Sequence, residues 1–239
     1  MTEHDISFGQ CFSKGWEAFK PQAGLAIGAS LLYMVAGTAA SQIPLGGILA
    51  VIPLIGGLYM TYLGIVKRLN PDIPTLFAGF SSVDNWARWL GVGCLLCAYE
   101  LLLLLVCAIP GAIPIGFGIA ALVAGPFVWE GVLLIAAGCL VTLAIYYAIA
   151  VRWIFVFLAG AEGATAFDAI RISTELTEGL RFRIFWIMVA MGLINTAGYL
   201  LCCIGIFFTL PVTSCALCAL YLDVKQLKAQ RPGAERPAG

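Results

Sequence analysis

Long apolar runs separated by short polar segments are the main pattern along this chain. Six runs approach or exceed the length of about 20 apolar residues that a membrane-spanning helix needs. They extend over Ala23 to Ser41, Ile48 to Val66, Trp89 to Ile109, Gly131 to Leu158, Arg183 to Leu201 and Ile204 to Leu222. The pattern predicts an all-α, polytopic membrane helix bundle of six transmembrane helices in three hairpins.

Residues 110–130 are also apolar, but prolines and glycines interrupt them. With six spans, all 13 Lys and Arg residues fall on one side of the membrane or at its margin. A seventh span would move Arg171, Arg181, Arg183 and the basic tail to the other side. We therefore expect residues 110–130 to form a re-entrant or interface-lying hairpin on the outer side. The positive-inside rule then places both termini in the cytoplasm.

Apolar and aromatic residues recur at helical spacing in a segment before each odd-numbered span. The first segment carries Phe8, Phe12, Trp16 and Phe19 on one face and ends at Pro21. The other two cover residues 76–90 and 165–179. A helix with an aromatic face and a charged face suits the headgroup layer of a membrane. We therefore expect a cytoplasmic-side amphipathic interfacial helix before each hairpin.

The first and last thirds of the chain resemble each other in the order of these features. The ends of the two units read YLGIVKRL from Tyr62 and YLDVKQL from Tyr221. An even number of spans separates the units, so both begin on the same side. We therefore expect residues 1–70 and 160–229 to be parallel repeats, with a more divergent unit between them.

Composition agrees with a membrane protein. Hydrophobic residues make up 62% of the chain and charged residues only 11%, whereas charged residues reach about 25% in soluble domains. The net charge is zero, which gives no reason to expect nucleic acid as a partner. A single transmembrane domain over residues 1–222 is predicted, in a cell membrane. Residues 223–239 are expected to form a disordered cytoplasmic tail.

Few residues with catalytic chemistry are present. His4 is the only histidine, and no aspartate lies within a predicted span, so histidine-dependent hydrolysis and an intramembrane aspartic dyad lack their central residues. Eight of the nine cysteines lie in apolar runs, where packing is favoured over metal or redox chemistry. They are Cys94, Cys97, Cys107, Cys139, Cys202, Cys203, Cys215 and Cys218. We predict neither an enzyme nor a bound metal or cofactor.

Two charged side chains occupy costly positions. Glu100 lies about 16 Å into the third span, and Arg152 about 12 Å from the cytoplasmic edge of the fourth, at 1.5 Å per residue. A charge at such a depth needs a partner or a change of protonation. One interpretation pairs Glu100 with Arg152; in the other, Arg152 extends to the cytoplasm while Glu100 is protonated or hydrogen-bonded.

Prolines and glycines mark further positions of interest. Pro53 and Pro211 fall at corresponding places in the two outer units, so they are candidates for helix breaks that line a polar site. Small residues permit close approach between membrane helices. The packing candidates are Gly24, Gly28, Gly56 and Gly57.

Four segments carry a family resemblance. They read GWEAFKP at 15–21, LFAGF at 76–80, AFDAIRISTELTEGLRFRIF from Ala166, and IGIFFTLPVTSCALCALY ending at Tyr221. These segments resemble a group of bacterial integral membrane proteins of unknown function, similar to the membrane domain found next to some glycerophosphoryl diester phosphodiesterases. The resemblance covers most of the chain and implies a six-helix fold. It carries over no catalytic residue, and residues 110–130 depart from the family pattern.

The functional expectation follows from what is present. The preferred hypothesis is an integral membrane protein that binds or transports a small molecule or lipid. The alternative is a non-catalytic membrane anchor, scaffold or interaction module. Membrane lipids are the expected partners, and a small-molecule or lipid ligand and a homo-oligomer are the further candidates.

Overall fold

The computed structural model describes residues 7–125, 128–200 and 205–230, and no strand occurs among them. The described residues form nine α-helices: α1 Phe8–Phe19, α2 Ala23–Ser41, α3 Ile52–Val66, α4 Val83–Ala124, α5 Val128–Ala150, α6 Val156–Ala161, α7 Ala166–Thr177, α8 Arg181–Leu200 and α9 Ile206–Ala229. Short 3₁₀ segments join several of them, and a π-helical turn, Gly47–Val51, precedes α3. The predicted all-α class is confirmed.

Six helical segments of the described chain are long and apolar enough to cross a membrane. They are Phe8–Ser41, Gly47–Val66, Val83–Ala108, Val128–Ala161, Arg181–Leu200 and Ile206–Ala229. The number agrees with the sequence prediction, and α2 begins and ends at the predicted residues. The coarse expectation of a multi-pass helical membrane protein therefore holds.

The prediction for residues 110–130 was wrong in its secondary structure. Helix α4 runs for 42 residues without interruption, about 63 Å, and includes both Pro110 and Pro114. The chain reverses only after Ala124, and α5 begins at Val128. Residues 126 and 127 lie outside the described part of the chain. The expected re-entrant connection is thus the distal half of a long antiparallel helix pair.

Close packing explains why this segment stays helical. A Cβ added at Gly118 would lie 2.6 Å from the carbonyl oxygen of Gly131, and one added at Gly111 would lie 1.9 Å from Thr142 Oγ1. The two helices therefore touch at positions that only glycine can occupy. This packing outweighs the two backbone hydrogen bonds that the prolines remove and the helix-weakening effect of glycine.

Two other predicted segments differ in their boundaries. The second expected interfacial helix is divided between the 3₁₀ segment Ile73–Phe80 and the first turns of α4. The predicted tail begins too early, because α9 continues as a helix to Ala229, and Val224 and Leu227 on it are buried. Residues 231–239 lie outside the described residues.

Helices α3 and α9 lie at the centre of the bundle and are the most buried of the candidate spans. Helix α3 contacts both α6 and α9. The largest buried side chains of the main core include Tyr62, Phe155, Leu158, Ile184, Leu220 and Tyr221. Inside this core the hydroxyl of Tyr62 bonds that of Ser30 on α2 at 2.5 Å.

The four predicted packing glycines divide into two pairs. A Cβ at Gly56 would lie 2.4 Å from the buried ring of Trp89, and one at Gly57 would lie 1.8 Å from the carbonyl oxygen of Leu76. Gly24 and Gly28 have no described neighbouring atom within 4 Å of such a Cβ. Of these four glycines, only Gly56 and Gly57 on α3 mediate close packing among the described residues.

An ionic cluster joins the ends of the inner helices. Glu162, directly after α6, accepts hydrogen bonds from Lys225 and Tyr221 of α9, and from Lys67 after α3 at 2.5 Å. Partial burial raises the pKa of Glu162, but these three hydrogen bonds outweigh that effect and lower the pKa to about 2. We call this part of the bundle the charged end. Lys14 of α1 adds a salt bridge there, to Asp223 of α9 at 2.6 Å.

The charged end brings together the two motifs that suggested a repeat. Tyr62 and Tyr221 are both buried, and the lysines that follow them, Lys67 and Lys225, bind the same carboxylate of Glu162. The order of elements is also shared, since α1, α2 and α3 correspond to α7, α8 and α9. Superposition of the two units stays a prediction.

The contrast between the glycine pairs generates a stability prediction. Gly57→Ala places a methyl group against a backbone carbonyl that moves only with its whole segment, so it should lower the free energy of unfolding by about 1–3 kcal/mol. Gly28→Ala is the matched control: it should be neutral or stabilise by up to about 1 kcal/mol, because alanine favours helix and the space is open. Thermal unfolding in detergent measures both, and equal effects would contradict the packing role.

The ionic cluster generates a pH prediction. A carboxyl whose pKa is depressed in the folded protein contributes stability that is fully present above its unfolded pKa, here near 4.5, and is lost as the pH falls towards 2. Glu162→Gln should therefore reduce stability at neutral pH by about 1–3 kcal/mol. It should also weaken the loss of stability between pH 4.5 and 2. Unfolding measured across this range would contradict the assignment if the variant kept the wild-type slope.

Candidate functional site

The fourth candidate span, Val128–Ala161, is interrupted in its last third, although no proline or glycine is present there. Helix α5 ends at Ala150, a 3₁₀ turn covers Val151–Trp153, and α6 begins at Val156. Such an interruption frees backbone N–H and C=O groups, which is costly in an apolar environment unless other groups bind them. Interrupted membrane helices are therefore found where a side chain or a ligand takes over these bonds.

Ser173 of α7 supplies the missing bonds. Its side chain is fully buried, and its Oγ accepts a hydrogen bond from the backbone N–H of Phe155 at 3.1 Å. The same hydroxyl donates to the carbonyl oxygen of Arg152 at 2.7 Å. One hydroxyl thus connects both sides of the interruption and fixes α7 against it.

A groove of about 760 Å³ adjoins the interruption, between α5 and α8. This volume is in the range of binding sites for small molecules and cofactors. Most of its wall is aliphatic and aromatic. The lining residues are Leu140, Leu143, Ala144, Tyr147, Ile149, Val151, Arg152, Arg181, Phe182, Phe185 and Val189.

The groove opens sideways to the surroundings of the bundle. Leu140, Leu143 and Phe182 on its rim are 66%, 52% and 76% exposed. Tyr147 of α5 meets Phe185 of α8 edge to face, with ring centroids 5.8 Å apart. This aromatic contact bridges the two helices within the groove. The exposed rim leaves the groove open at its side, and its walls are mostly apolar.

Two arginines are the only charged side chains among the described lining residues. Arg152 comes from the interruption and Arg181 from the first turn of α8, and the buried Nε atom of each has no hydrogen-bond partner among the described residues. Neither takes part in an ion pair among the described residues. A buried guanidinium donor without an acceptor is costly. The groove is therefore an apolar site whose lining includes two arginines without a counter-ion among the described residues.

The arginines lie near the charged end of the bundle. Lys228 of α9 donates to the carbonyl oxygen of Glu178 at 2.8 Å, which fixes the residues before α8 beside the end of α9. The first turn of a helix also leaves backbone N–H groups without intrahelical acceptors and carries a partial positive charge. The start of α8 thus adds to the positive potential that Arg181 creates.

Glu100 and Arg152 do not form the ion pair that one interpretation proposed. Glu100 Oε2 instead accepts a hydrogen bond from Tyr146 of α5 at 3.0 Å, while Arg152 lines the groove. The bond between Glu100 and Tyr146 links α4 to α5 within the long helix pair. Glu100 therefore has a polar contact inside the span, as the sequence suggested, but outside the groove.

The predicted helix break at Pro211 is absent, because α9 runs through it from Ile206 to Ala229. At Pro53 the helical segment Gly47–Val66 also continues, but the turn directly before the proline, Gly47–Val51, is π-helical, so the helix there is irregular and not broken. The observed interruption, at residues 151–155, carries neither proline nor glycine, so no helix-breaking residue marks it in the sequence. In the sequence, the depth of Arg152 in its span marks it as a candidate site residue. No sequence pattern marks Ser173, Arg181 or the aromatic lining as site residues.

The cysteines divide between core and surface. Cys11, Cys107, Cys215 and Cys218 are buried, Cys94, Cys97 and Cys139 are exposed, and Cys202 and Cys203 lie outside the described residues. Within the described chain, no group of three or more potential metal ligands is found.

The role of Ser173 generates a prediction. Ser173→Ala removes both hydrogen bonds at the interruption and leaves the buried N–H of Phe155 unpaired, so it should destabilise the protein by about 1–3 kcal/mol. Thr174→Ala is the control on the same helix, because its hydroxyl bonds only the Ile170 carbonyl one turn earlier. Thermal unfolding in detergent should separate the two variants, and equal midpoints would contradict the role of Ser173.

Comparisons with known proteins leave the functional argument to the groove itself. No family model, no curated protein and no solved structure matched the chain. The resemblance to phosphodiesterase-associated membrane domains accordingly rests on the four quoted segments alone. The groove between α5 and α8 is the part of the described structure from which a function can be inferred.

Proposed function

We propose that this protein is a multi-pass protein of a bacterial inner membrane that binds an anionic lipid in the groove between α5 and α8. The observation that carries the proposal is the combination of an apolar wall with two arginines, Arg152 and Arg181, that line the groove and form no ion pair among the described residues. An amphiphile with an apolar chain and an anionic head meets both requirements. A polar metabolite would leave the apolar wall unused.

The proposed orientation places the charged end at the cytoplasmic surface with both termini inside. Lys14, Lys67 and Lys225 all lie at this end of the bundle, as the positive-inside rule requires. Helices α1 and α7 would then lie at the headgroup level, where exposed aromatic side chains such as Trp16 and Phe167 are favourable. The arginine end of the groove would face the cytoplasmic leaflet.

The lateral opening supports a ligand that comes from the bilayer. The exposed rim residues Leu140, Leu143 and Phe182 would be in contact with acyl chains, so a lipid enters the groove without crossing water. Its chain would pack on α5 and α8, and its phosphate would lie between Arg152 and Arg181. Guanidinium groups bind phosphate oxygens with paired, charge-assisted hydrogen bonds.

The position of the groove favours binding over transport across the membrane. The groove lies at the side of the bundle, whereas the centre, where α3 contacts α6 and α9, is filled by buried side chains such as Tyr62, Phe155 and Leu158. A bound lipid at such a lateral site would act as a structural or regulatory ligand.

Native mass spectrometry of the detergent-purified protein tests the proposal. The wild-type protein should retain anionic phospholipid from its host membrane in preference to zwitterionic phospholipid. Arg152→Gln and Arg181→Gln should each reduce retention about tenfold or more, because each removes charge-assisted hydrogen bonds worth about 1.5–3 kcal/mol. Arg171→Gln is the matched control, since Arg171 on α7 is exposed and paired with Asp168 and Glu175.

A second pair of variants tests the apolar wall. Ala144→Trp fills the groove and should expel the lipid, whereas Ala136→Trp, on α5 outside the lining, should leave retention unchanged. Retention that is indifferent to both arginines and to Ala144→Trp would overturn the groove as the site. Absence of any preference for anionic lipid would overturn the proposed function.

A further inference from the structure

Which anionic headgroup the groove accepts depends on its charge and on its inventory of polar groups. The lining carries two positive charges, Arg152 and Arg181, and among its described members no negative one. Arginine stays protonated at every physiological pH. A headgroup with one negative charge would therefore leave a surplus positive charge in a largely apolar site, whereas a headgroup with two would neutralise it.

The hydrogen-bond inventory leads to the same result. Two guanidinium groups offer up to ten N–H donors, and no carboxylate among the described residues pairs with Arg152 or Arg181. A phosphodiester has two non-bridging oxygens, because both remaining oxygens carry substituents. A terminal phosphate has three free oxygens, so it accepts more of the fork-shaped donor pairs that arginine presents.

The groove also lacks partners for a larger headgroup. Apart from the arginines, the hydroxyl of Tyr147 is the only polar side-chain group among the described lining residues. No described lining carboxylate is available for an ammonium group such as that of ethanolamine, and glycerol or sugar hydroxyls would find mostly apolar contacts. A headgroup that ends at the phosphate has no further polar group of its own that would need a partner in the groove.

We infer that the groove selects lipid phosphomonoesters, amphiphiles whose headgroup is a terminal dianionic phosphate, over lipids whose phosphate carries a second substituent. This inference rests on the proposed function, because it names the headgroup of the lipid that the groove binds. The chain of the lipid lies on α5 and α8, and the phosphate bridges Arg152 and Arg181.

A pH dependence follows from the ligand. The second proton of a phosphate monoester dissociates near pH 6, so the dianion prevails at pH 8 and the monoanion at pH 5. The titratable side chains of the lining are Tyr147, Arg152 and Arg181, and none of these types ordinarily titrates between pH 5 and 8. On adjoining elements, the charged residues include Arg183 on α8, Glu178 before α8, Glu100 on α4, Asp223, Lys225 and Lys228 on α9, and Asp168 and Glu175 on α7, which are paired with Arg171. Carboxyl, lysine and arginine side chains ordinarily change charge outside pH 5–8. The preference should therefore follow the ionisation of the phosphate.

The experiment uses the full chain in detergent with equimolar dioleoyl phosphatidic acid, phosphatidylglycerol and phosphatidylcholine, with bound lipid read by native mass spectrometry. Identical acyl chains isolate the headgroup. At pH 8 phosphatidic acid should be retained at least about tenfold over phosphatidylglycerol, and this ratio should fall towards one at pH 5. Arg181→Gln should reduce the ratio at pH 8, and Arg171→Gln should preserve it.

The possible outcomes distinguish selection of a phosphomonoester headgroup from binding of anionic lipids in general. Equal retention of phosphatidic acid and phosphatidylglycerol at pH 8, both above phosphatidylcholine, would overturn the phosphomonoester and keep anionic lipid binding. Equal retention of all three lipids would overturn both. Displacement of phosphatidic acid by millimolar inorganic phosphate would assign the site to the free anion, and retention in its presence supports the lipid. Because the pH series uses the wild-type protein, a variant that fails to fold does not decide the result.

Discussion

The hydroxyl of Ser173 is the interaction on which the site depends. An interrupted helix in apolar surroundings exposes backbone groups whose hydrogen bonds cost several kcal/mol to leave unmade, and this single side chain binds one on each side of the interruption. It thereby fixes α7 against the fourth span. The start of α8 follows directly from the end of α7, so the same contact determines how Arg181 stands relative to Arg152. The arrangement of the two arginines therefore depends on the hydrogen bonds that Ser173 makes to the backbone of the span.

The charged end stabilises the bundle in a complementary way. Glu162 binds one lysine from the end of α3 and one from α9, so that the three inner helices share a single carboxylate. Two cations around one anion leave a net positive charge at this end. The partner hydrogen bond from Tyr221 comes from inside the core, which couples the ionic cluster to the packed aromatic residues. The groove is thus built on the outer side of a bundle whose centre is fixed independently.

Much of the fold was predictable because apolar length and the position of positive charges are strong signals. The limits of α2 were predicted to the residue, and the six expected spans correspond to six described helical segments that are long and apolar enough to cross a membrane. The errors at residues 110–130 and at Pro211 share one physical cause: proline and glycine break helices in water, whereas in a closely packed membrane bundle a helix can continue through them. Pro110, Pro114 and Pro211 lie inside continuous helices, and glycines such as Gly118 serve as contact points. The real interruption at residues 151–155 depends on Ser173, about 20 residues away, and no local pattern reports such a contact. Arg181 likewise gains its role from the fold alone.

The apolar length of the α4–α5 pair exceeds the thickness of the hydrocarbon core of a bilayer. From Leu90 to Val123, Glu100 is the only charged residue of α4, so its apolar length is about 51 Å against about 30 Å for the hydrocarbon core of a bilayer. A hydrophobic mismatch of this size requires the pair to lean strongly, the surrounding lipid to thicken, or both. Since α5 leads directly into the interruption that carries Arg152, the angle of the pair determines the position of one wall of the groove. Bilayer thickness would then act on the site mechanically, and the membrane in which the chain resides would help to set how open the groove is.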